Sequence, residues 1–368
     1  MIRGSIVVSV SHYLSGVKIL DLSHYVSGPF ASLLLADMGA DVIKIEPPAG
    51  DPMRHLGPAD AKGDPLFYGA LSAGKSVLHL DLKSDEGSAR MQELLVDTDI
   101  LIEGFRPGVM TRLGLDYARL SVLHPSLIYC SISGYGVDAP LSAAAGHDAN
   151  YLATSGILHR NGTTSPHFFD PPIADMSGAL FAVIAILGAL NARSRTGKGA
   201  HIELGLADAL MPLQLMQIAE WGANATVPTR QSTYLNGAAA YYQVYATADA
   251  KHVMLGAVEP KFWLNFCEAA GRPDWVKRHD DPLPQHRLIS ELSNFFEQHE
   301  AVAICRRFEG IECCLSPVLD LGEALQSPQT LARGLVKSDG GRLQALFPAY
   351  FDGKTTTARP PLHRLDPA

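Results

Sequence analysis

Two titratable residues of the sequence, His147 and Asp175, each stand beside a predicted helix start. His147 follows Gly146 in a run of small residues, and Asp175 follows a Pro-Pro pair and opens a long apolar segment. The start of a helix presents oriented backbone N–H groups that favour negative charge, and an imidazole titrates near neutral pH. The pattern therefore predicts two acid–base groups that face one anionic intermediate.

Each candidate side chain also has a simpler structural interpretation. A single histidine is most often a structural group, and Asp175 could be a plain N-cap that contributes about 1 kcal/mol. Glu259 ends a predicted strand directly before Pro260, where it could be an exposed turn carboxylate or a group that orients a histidine. Ser23 and Ser27 lack the local pattern of a nucleophile elbow, so neither is assigned to a catalytic triad.

The elements that would position these groups begin with a β-α-β unit in the first fifty residues. Strands are predicted at 16–22 and 41–45, with a helix between them that Gly39 ends, and further strands at 77–82, 99–103 and 127–132. This alternation favours an α/β fold with a large, Rossmann-like, open parallel sheet. Because no G-x-G-x-x-G follows the first strand, a nicotinamide enzyme is not expected.

Cationic and polar side chains follow the ends of the predicted parallel strands. In open α/β sheets ligands bind outside the carboxyl ends of the strands, and this edge carries Lys44, Lys83, Arg106 and Tyr135. Arg106 could be a surface turn cation or a bidentate phosphate ligand. Residues 80–83 could be the plain end of a strand or a backbone edge that binds an adenine ring. The sequence therefore predicts a phosphate-bearing ligand at this edge.

The second half of the chain predicts a smaller α+β lobe. Residues 178–192 are apolar on all sides, which is typical of a helix buried between layers. Later elements are predicted as a strand at 201–206, a helix reaching about Trp221, a hairpin at 241–247 and 253–258, helices at 262–270 and 287–308, and a strand at 313–319. The predicted division is a large lobe at 1–205, a linker at 206–234, a small lobe at 235–334 and a segment at 335–368 that returns to the large lobe.

The composition limits the function classes. The 368-residue chain carries a net charge of −8, which argues against a nucleic-acid partner, because phosphate neutralisation requires clustered Lys and Arg. The five cysteines are odd in number and show no metal-type spacing, so we expect reduced thiols and no metal site. The apolar patch at 6–10 is too short for a secretory segment, and the uncharged run at 176–192 falls just under a bilayer span. We therefore expect a cytoplasmic protein with no membrane partner.

Several long segments, in order, resemble the class III CoA-transferase superfamily and, within it, the α-methylacyl-CoA racemases. The resemblance runs from about residue 16 to the C-terminus, and residues up to Tyr13 have no counterpart, which would fit a misassigned start. The segments that carry it are GPFASLLLADMGADVIKIEPP, HLDLKSDEG, LIEGFRPGVMTRLGLDYARL, LIYCSISGYG, AGHDANYLATSGIL, PPIADMSGAL, SRTGKGAHIE, NGAAAYYQVYATADAKHVMLGAVEP and ECCLSPVL.

The resemblance implies two lobes per subunit and an interlocked homodimer, with the acyl-CoA thioester between the large lobe of one subunit and the small lobe of the other. CoA would enter as part of the substrate, without a separate cofactor. His147, paired with Glu259, would be one base and Asp175 the other. The implied CoA- and substrate-binding residues are Lys44, Leu80, Asp81, Lys83, Gly104, Arg106, Arg112, Gly146, Asp148, Asn150, Tyr151, Gly237 and Tyr242.

The function hypothesis is epimerisation of a 2-methyl-branched acyl-CoA by 1,1-proton transfer, through an enolate held by backbone N–H groups near Asp148. The alternative is a CoA-transferase that uses Asp175 as nucleophile, and a third hypothesis is a protein that binds CoA esters without turnover. Two departures from the racemase pattern matter. Pro47 stands where racemases tend to carry an Arg, with Lys44 as a candidate substitute, and the residues before Asp175 lack the usual Asn, which predicts a different acyl preference.

Overall fold

The structure is a computed structural model that describes residues 12–339 and 341–365. The chain divides into two units. Unit 1 comprises Met1–Ser155, Phe169–Leu213 and Pro328–Ala368, and unit 2 comprises Gly156–Phe168 and Gln214–Ser327. The expectations about residues 1–11 lie outside the described residues, and the lobe boundaries predicted above stay predictions.

Unit 1 contains a seven-stranded parallel sheet with the order β12-β3-β2-β1-β4-β5-β6. Its strands, numbered in chain order, are β1 (Lys18–Asp21), β2 (Asp41–Glu46), β3 (Ser76–His79), β4 (Ile100–Glu103), β5 (Ile128–Ser133), β6 (Ala200–Gly205) and β12 (His363–Arg364). The order reverses between β1 and β4. In sheets of this kind the crevice at the carboxyl ends of those two strands is where ligands bind.

The helices of unit 1 connect these strands. They are α1 (Ser27–Asp37), α2 (Leu66–Ser72), α3 (Asp85–Leu95), α4 (Val109–Arg112), α5 (Tyr117–Leu123), α6 (Asp148–Thr154), α8 (Ile173–Thr196) and α14 (Pro328–Arg333), and the hairpin strands β10 (Val336–Asp339) and β11 (Arg342–Ala345) follow. The Ser84 side chain caps α3 by accepting from the amide of Gly87 at 3.0 Å. Near the C-terminus, the Arg359 guanidinium pairs with the buried Asp37 carboxylate through two hydrogen bonds of 2.6 Å.

Helix α8 differs from its prediction, because only one face of it is buried within unit 1. The buried face includes Ala179, Ala182 and Ile186, whereas Leu180 is 50% and Ile184 63% exposed. Among the described residues, α8 is also the helix whose length and composition would suffice to cross a membrane. A core helix passes the same test, and one side of α8 packs against α1, β5 and β6.

Unit 2 is built on a three-stranded antiparallel sheet with the order β7-β8-β9. Its elements are α7 (Ile157–Arg160), α9 (Leu215–Asn224), β7 (Tyr242–Ala246), β8 (His252–Gly256), α10 (Pro260–Ala270), α11 (His286–Phe296), α12 (Ala301–Arg307), β9 (Leu315–Pro317) and α13 (Leu321–Gln326). Trp263, Phe266, Trp275 and Phe296 form the centre of its core. The predicted α/β fold with a large parallel sheet and a smaller α+β part is therefore confirmed.

Candidate active site

A cavity of about 560 Å³ lies at the carboxyl ends of β1, β4 and β5 in unit 1. The loops that follow these strands supply most of its wall, and the starts of α6 and α8 supply the rest. Its chemically active lining includes His24, Tyr25, Ser27, Arg106, His147 and Asp175. The two residues that the sequence singled out as acid–base groups therefore line the same cavity.

Asp175 is the third residue of α8, within the first turn of the helix, and it does not cap the helix. Its carboxylate accepts a hydrogen bond from the Ser27 hydroxyl at 3.0 Å. Burial raises the pKa of Asp175 to about 6; the Ser27 hydrogen bond and His147 oppose this rise, and the nearby Asp148 carboxylate adds to it. A carboxyl group that titrates near neutral pH can give or take a proton in either direction.

Asp148 is the residue that caps α8. Its Oδ1 accepts from the backbone amides of Ala174 at 2.6 Å and Asp175 at 3.0 Å. Burial raises the pKa of the Asp148 carboxyl, and these two amides oppose the rise. Because Asp148 is also the first residue of α6, this contact ties the start of α6 to the start of α8.

His147 directly precedes α6 and is exposed in unit 1. Its backbone amide donates to the Asn150 side-chain oxygen at 3.0 Å, which fixes the turn before the helix. The imidazole lies edge-on to the Tyr25 ring, with 6.3 Å between the ring centroids. It is also close enough to Asp175 to lower the pKa of that carboxyl. His147 therefore lies near the Asp175 carboxylate in the same cavity.

The Gly146 position requires a glycine because two aromatic rings approach its backbone. A Cβ atom added there would lie 2.9 Å from Cε1 of Tyr151 and 3.1 Å from the hydroxyl of Tyr135. The Tyr151 hydroxyl donates to the Gly146 carbonyl at 2.7 Å, and burial raises the pKa of this phenol to about 12. Gly146, Asp148, Asn150 and Tyr151 therefore form one packed segment around the start of α8.

Lys44 is buried and does not lie at the rim, and its role as a CoA-binding residue stays a prediction. The side chain is 1% exposed, and its Nζ donates to the Ser23 carbonyl at 2.7 Å and pairs with the Asp51 carboxylate at 2.8 Å. Both faces of β2 are covered near this position, so the ammonium turns inward. Lys44 therefore holds the loop after β1.

The other predicted CoA-binding residues of unit 1 line two cavities. Gly104 and Arg106 lie in the first cavity. Leu80, Asp81, Lys83 and Arg112 lie in a second cavity of about 590 Å³, which shares His24 and Phe105 with the first. Within the described ranges, Lys83, Arg106 and Arg112 have no carboxylate partner, so three cations are free to meet an anionic ligand.

The remaining predicted residues belong to unit 2, and their roles stay predictions. Glu259 is exposed and directly precedes α10. Gly237 has a left-handed backbone with φ of 99°, and its carbonyl accepts from the Gln243 side-chain amide at 2.9 Å. Tyr242 is the first residue of β7.

Sequence reasoning missed His24 and Tyr25 of the first cavity, and it weighed Ser27 only as a triad nucleophile. All three lie between β1 and the first turn of α1, before the Gly-Pro pair that follows the strand. Tyr25 has a φ of 64°, an unusual left-handed conformation for a bulky residue, and its ring is 44% exposed. A strand followed by Ser-His-Tyr and a helix start at the switch point is the signal that could have identified them.

Among the described residues, the cysteines and the potential metal ligands form no second reactive site. In the part of the chain that the structure describes, no group of three His, Cys, Asp or Glu side chains could hold a metal ion. The five cysteines are free, and burial raises the pKa of Cys130 and of Cys267 to about 12. These two thiols are therefore poor nucleophiles at neutral pH.

Comparison with known proteins matches residues 14–362 to CoA-transferase family III. The chain is 32% identical over 357 residues to acetyl-CoA:oxalate CoA-transferase from Acetobacter aceti, covering 92% of this chain and 89% of that protein. It is 31% identical over 334 residues to alpha-methylacyl-CoA racemase from Homo sapiens, covering 87% and 81%. The crystal structure of a CAIB/BAIF family protein from Brucella suis superimposes with a TM-score of 0.85 at 28% identity, covering 96% of each chain. The resemblance to class III CoA-transferases is confirmed, and the chain belongs to CoA-transferase family III.

Proposed function

We propose that this protein racemises 2-methyl-branched acyl-CoA thioesters by a two-base transfer of the α-proton. The observation that carries the proposal is that His147 and Asp175 line one cavity, where burial raises the pKa of Asp175 to about 6. Relatives of similar identity act on acyl-CoA according to their names, and one of them is a racemase. The assignment of the substrate as an acyl-CoA follows from these relatives.

The proposed step moves one proton off the α-carbon and another onto its opposite face. In one direction the Asp175 carboxylate takes the α-proton, and the C–H electron pair moves into the thioester to form an enolate. The His147 imidazolium then gives its proton to the other face, which inverts the centre. In the reverse direction the neutral imidazole takes the proton and protonated Asp175 returns one.

The enolate oxygen needs a donor during this step. The backbone amides at the start of α6, those of Asp148 and Ala149, have no acceptor among the described residues. Preorganised amide donors of this kind stabilise a developing oxyanion by about 3 kcal/mol each. We assign the enolate oxygen to these amides. We also propose that His147 pairs with Glu259.

Deuterium exchange with each enantiomer of a 2-methylacyl-CoA tests the assignment. In D2O the wild type should incorporate deuterium at the α-carbon of both enantiomers and invert both. Asp175→Asn should lose exchange with one enantiomer and keep it, without inversion, with the other; His147→Ala should show the opposite preference. Asp41→Asn, an exposed carboxylate at the start of β2, serves as the matched control. If both site variants exchange both enantiomers as fast as the control, the two-base assignment is wrong.

A second candidate function, CoA transfer between an acyl-CoA and a free acid, is favoured by the transferase relative at 32% identity. Here the Asp175 carboxylate would attack the thioester carbonyl, and the C–S bond would break. CoA would depart as the thiolate, and a mixed anhydride between Asp175 and the acyl group would form. The thiolate would then attack the Asp175 carbonyl of that anhydride and release the acyl group as a carboxylate. Hydroxylamine trapping of an acyl or CoA adduct at Asp175, with labelled acid entering the thioester, would select this function over racemisation. Tight thioester binding with neither reaction would leave only a binding protein.

The CoA moiety is proposed to lie along the second cavity. Lys83 and Arg112 line that cavity beside the apolar residues Leu22, Ile45 and Leu113. Such a mixture of apolar wall and free cations suits an adenine ring with its phosphates. The test is to measure the dissociation constant for CoA at increasing salt concentrations. The affinity of the wild type should fall with salt, and it should fall less steeply when either cation is replaced by Gln.

A second copy of this chain is the proposed partner that covers its exposed apolar faces. In unit 1, Leu180 and Ile184 of α8 form an exposed apolar ridge, and in unit 2, Leu215 is 67% and Trp221 60% exposed on α9. Exposed patches of this kind mark interfaces in oligomers. We infer that the protein is a homodimer in the cytoplasm, and that the second subunit, rather than a lipid bilayer, buries these faces. Analytical ultracentrifugation should give a dimer for the wild type and a monomer for Ile184→Glu; a monomeric wild type would contradict the inference.

A further inference from the structure

We propose that Ser27 and Asp148 are positioning residues that hold Asp175 from two sides. Ser27 fixes the carboxylate, and Asp148 fixes the first turn of the helix that carries it. The inference rests on the proposed function, in which Asp175 exchanges a proton with the substrate. It goes further by naming the two side chains that set the geometry and the charge of Asp175.

The contact from Ser27 is made possible by the packing of α1 against α8. Ser27 is the first residue of α1 and is 8% exposed, so its hydroxyl has little access to water. The hydroxyl donates to Oδ1 of Asp175 at 3.0 Å. Behind it, Gly28 approaches Ser23 so closely that an added Cβ would lie 2.1 Å from the Ser23 hydroxyl oxygen. The loop therefore has little freedom to move the donor away from Asp175.

The contact from Asp148 acts on the backbone of α8. The helix follows Pro172, which has no side-chain donor or acceptor to cap it, and the amides of its first turn need an acceptor. Oδ1 of Asp148 accepts from two of them, those of Ala174 and Asp175. A charged acceptor makes stronger hydrogen bonds than a neutral one. Since His147 is the neighbouring residue, this cap also fixes the spacing between the two proposed bases.

The two positioning residues push the charge of Asp175 in opposite directions. A hydroxyl donor favours the ionised carboxylate, so Ser27 lowers the pKa of Asp175, whereas the like charge of Asp148 raises it. The titratable groups that face Asp175 are His147, Asp148 and Tyr151, all on or beside α6, and α1 contributes the Ser27 hydroxyl. Among the described residues, β5, β6 and the short helical turn Asp208–Leu210, which also pack against α8, add no charged group to this set.

An NMR titration of the carboxyl carbon of Asp175 tests the inference without any substrate. Wild type, Ser27→Ala and Asp148→Asn would be labelled with 13C-aspartate, and the Asp175 signal would be assigned by its loss in Asp175→Asn. The wild-type midpoint should fall at about 6. Ser27→Ala should move it upward and Asp148→Asn, which keeps a cap acceptor but loses the charge, should move it downward. Ser121→Ala, which lies outside the cavity lining, and Asp41→Asn, which is exposed, are the matched controls and should not move it.

The kinetic counterpart is the pH profile of kcat/KM. In one direction of the reaction Asp175 must be ionised. For that direction, the acidic limb of the profile should shift in Ser27→Ala and in Asp148→Asn by as much as the NMR midpoint does. Asp148→Ala removes the cap as well as the charge, and a displacement of the helix start by about 1 Å would lower kcat about 100-fold. The inference is overturned if both variants leave the midpoint unchanged or move it in the same direction. The titration stands even if no racemase activity is found, so failure of the function and failure of the positioning are separate results.

Discussion

Replacement of Asp175 by Asn would measure how strongly the protein penalises the charge of this partly buried carboxylate, whatever the reaction. Burial raises the pKa of Asp175 from 3.8 to about 6. Between these two values the native state holds a proton that the unfolded chain has lost, so the free energy of unfolding falls as the pH rises. Since one pKa unit corresponds to about 1.4 kcal/mol, the full penalty at neutral pH is about 3 kcal/mol.

The Asn side chain cannot ionise, and its oxygen can still accept the Ser27 hydrogen bond. Asp175→Asn should therefore be more stable than the wild type by up to about 3 kcal/mol at about pH 7.5, and equally stable at about pH 4. In a unit of this size, a gain of that magnitude raises the melting temperature by about 6 to 12 °C. Racemase activity would be lost at the same time, because groups that serve catalysis often lower the stability of the fold.

Differential scanning calorimetry at the two pH values measures this difference directly. The control is Asp41→Asn, because that exposed carboxylate should give no pH-dependent change in melting temperature. A gain for Asp175→Asn that is the same at both pH values would show that the carboxylate is not penalised by burial. Such a result would contradict acid–base chemistry by Asp175 at neutral pH.

Three further substitutions test other parts of the structure. Gly146→Ala places a Cβ 2.9 Å from a buried tyrosine ring and should cost about 1–3 kcal/mol in urea unfolding, whereas Gly188→Ala meets nothing within 4 Å and should be neutral or stabilising. Lys44→Met leaves the buried Asp51 carboxylate without its cation and should lower the free energy of unfolding by about 3–5 kcal/mol. Lys18→Met breaks an exposed pair and should lower it by about 1 kcal/mol or less. Equal effects of the two substitutions would contradict the burial of Lys44. Arg112→Gln should raise the KM for an acyl-CoA with kcat nearly unchanged, and an unchanged KM would remove Arg112 from the CoA site.

The sequence predicts the centre of unit 1 better than its edges. The alternation of apolar strands with a helix ended by Gly39 specifies β1, α1 and β2 within one or two residues. The edge strand β12 has two residues, both exposed and polar, and it exists only because the edge of β3 accepts it. A pattern of two residues carries no periodic signal, so this strand could not be predicted locally.

Tertiary contacts also explain where longer predictions differ from the structure. The helix predicted at 287–308 is two helices, α11 and α12. The amide of Ala248 donates to the His299 carbonyl at 2.9 Å, and Asp249 accepts from the amide of Ala301 at 3.1 Å. These bonds hold the chain in a turn between the helices. Since both partners lie about fifty residues earlier, the helical pattern alone gives no indication of the break.

At the candidate site, local sequence patterns identify the residue types, but they do not determine in which direction each side chain points. Lys44 follows the same strand-end logic as Lys83, yet one side chain is buried with Asp51 and the other lines a cavity. A parallel strand covered on both faces gives no alternation from which the direction of a lysine could be predicted. His147 and Asp175 were predicted because helix starts and titratable groups both leave signals in the sequence.

The function of Asp175 depends on the fact that another residue caps its helix. An aspartate at the N-cap uses its carboxylate to accept backbone amides, which stabilises the charged form and lowers the pKa. In this protein the cap comes from Asp148, which lies far from Asp175 in sequence, and among the described residues the Asp175 carboxylate has the Ser27 hydroxyl as its one donor. Burial then prevails and raises the pKa. The same residue type at the same helix start therefore becomes either a structural cap or an acid–base group, and a contact between distant segments decides which.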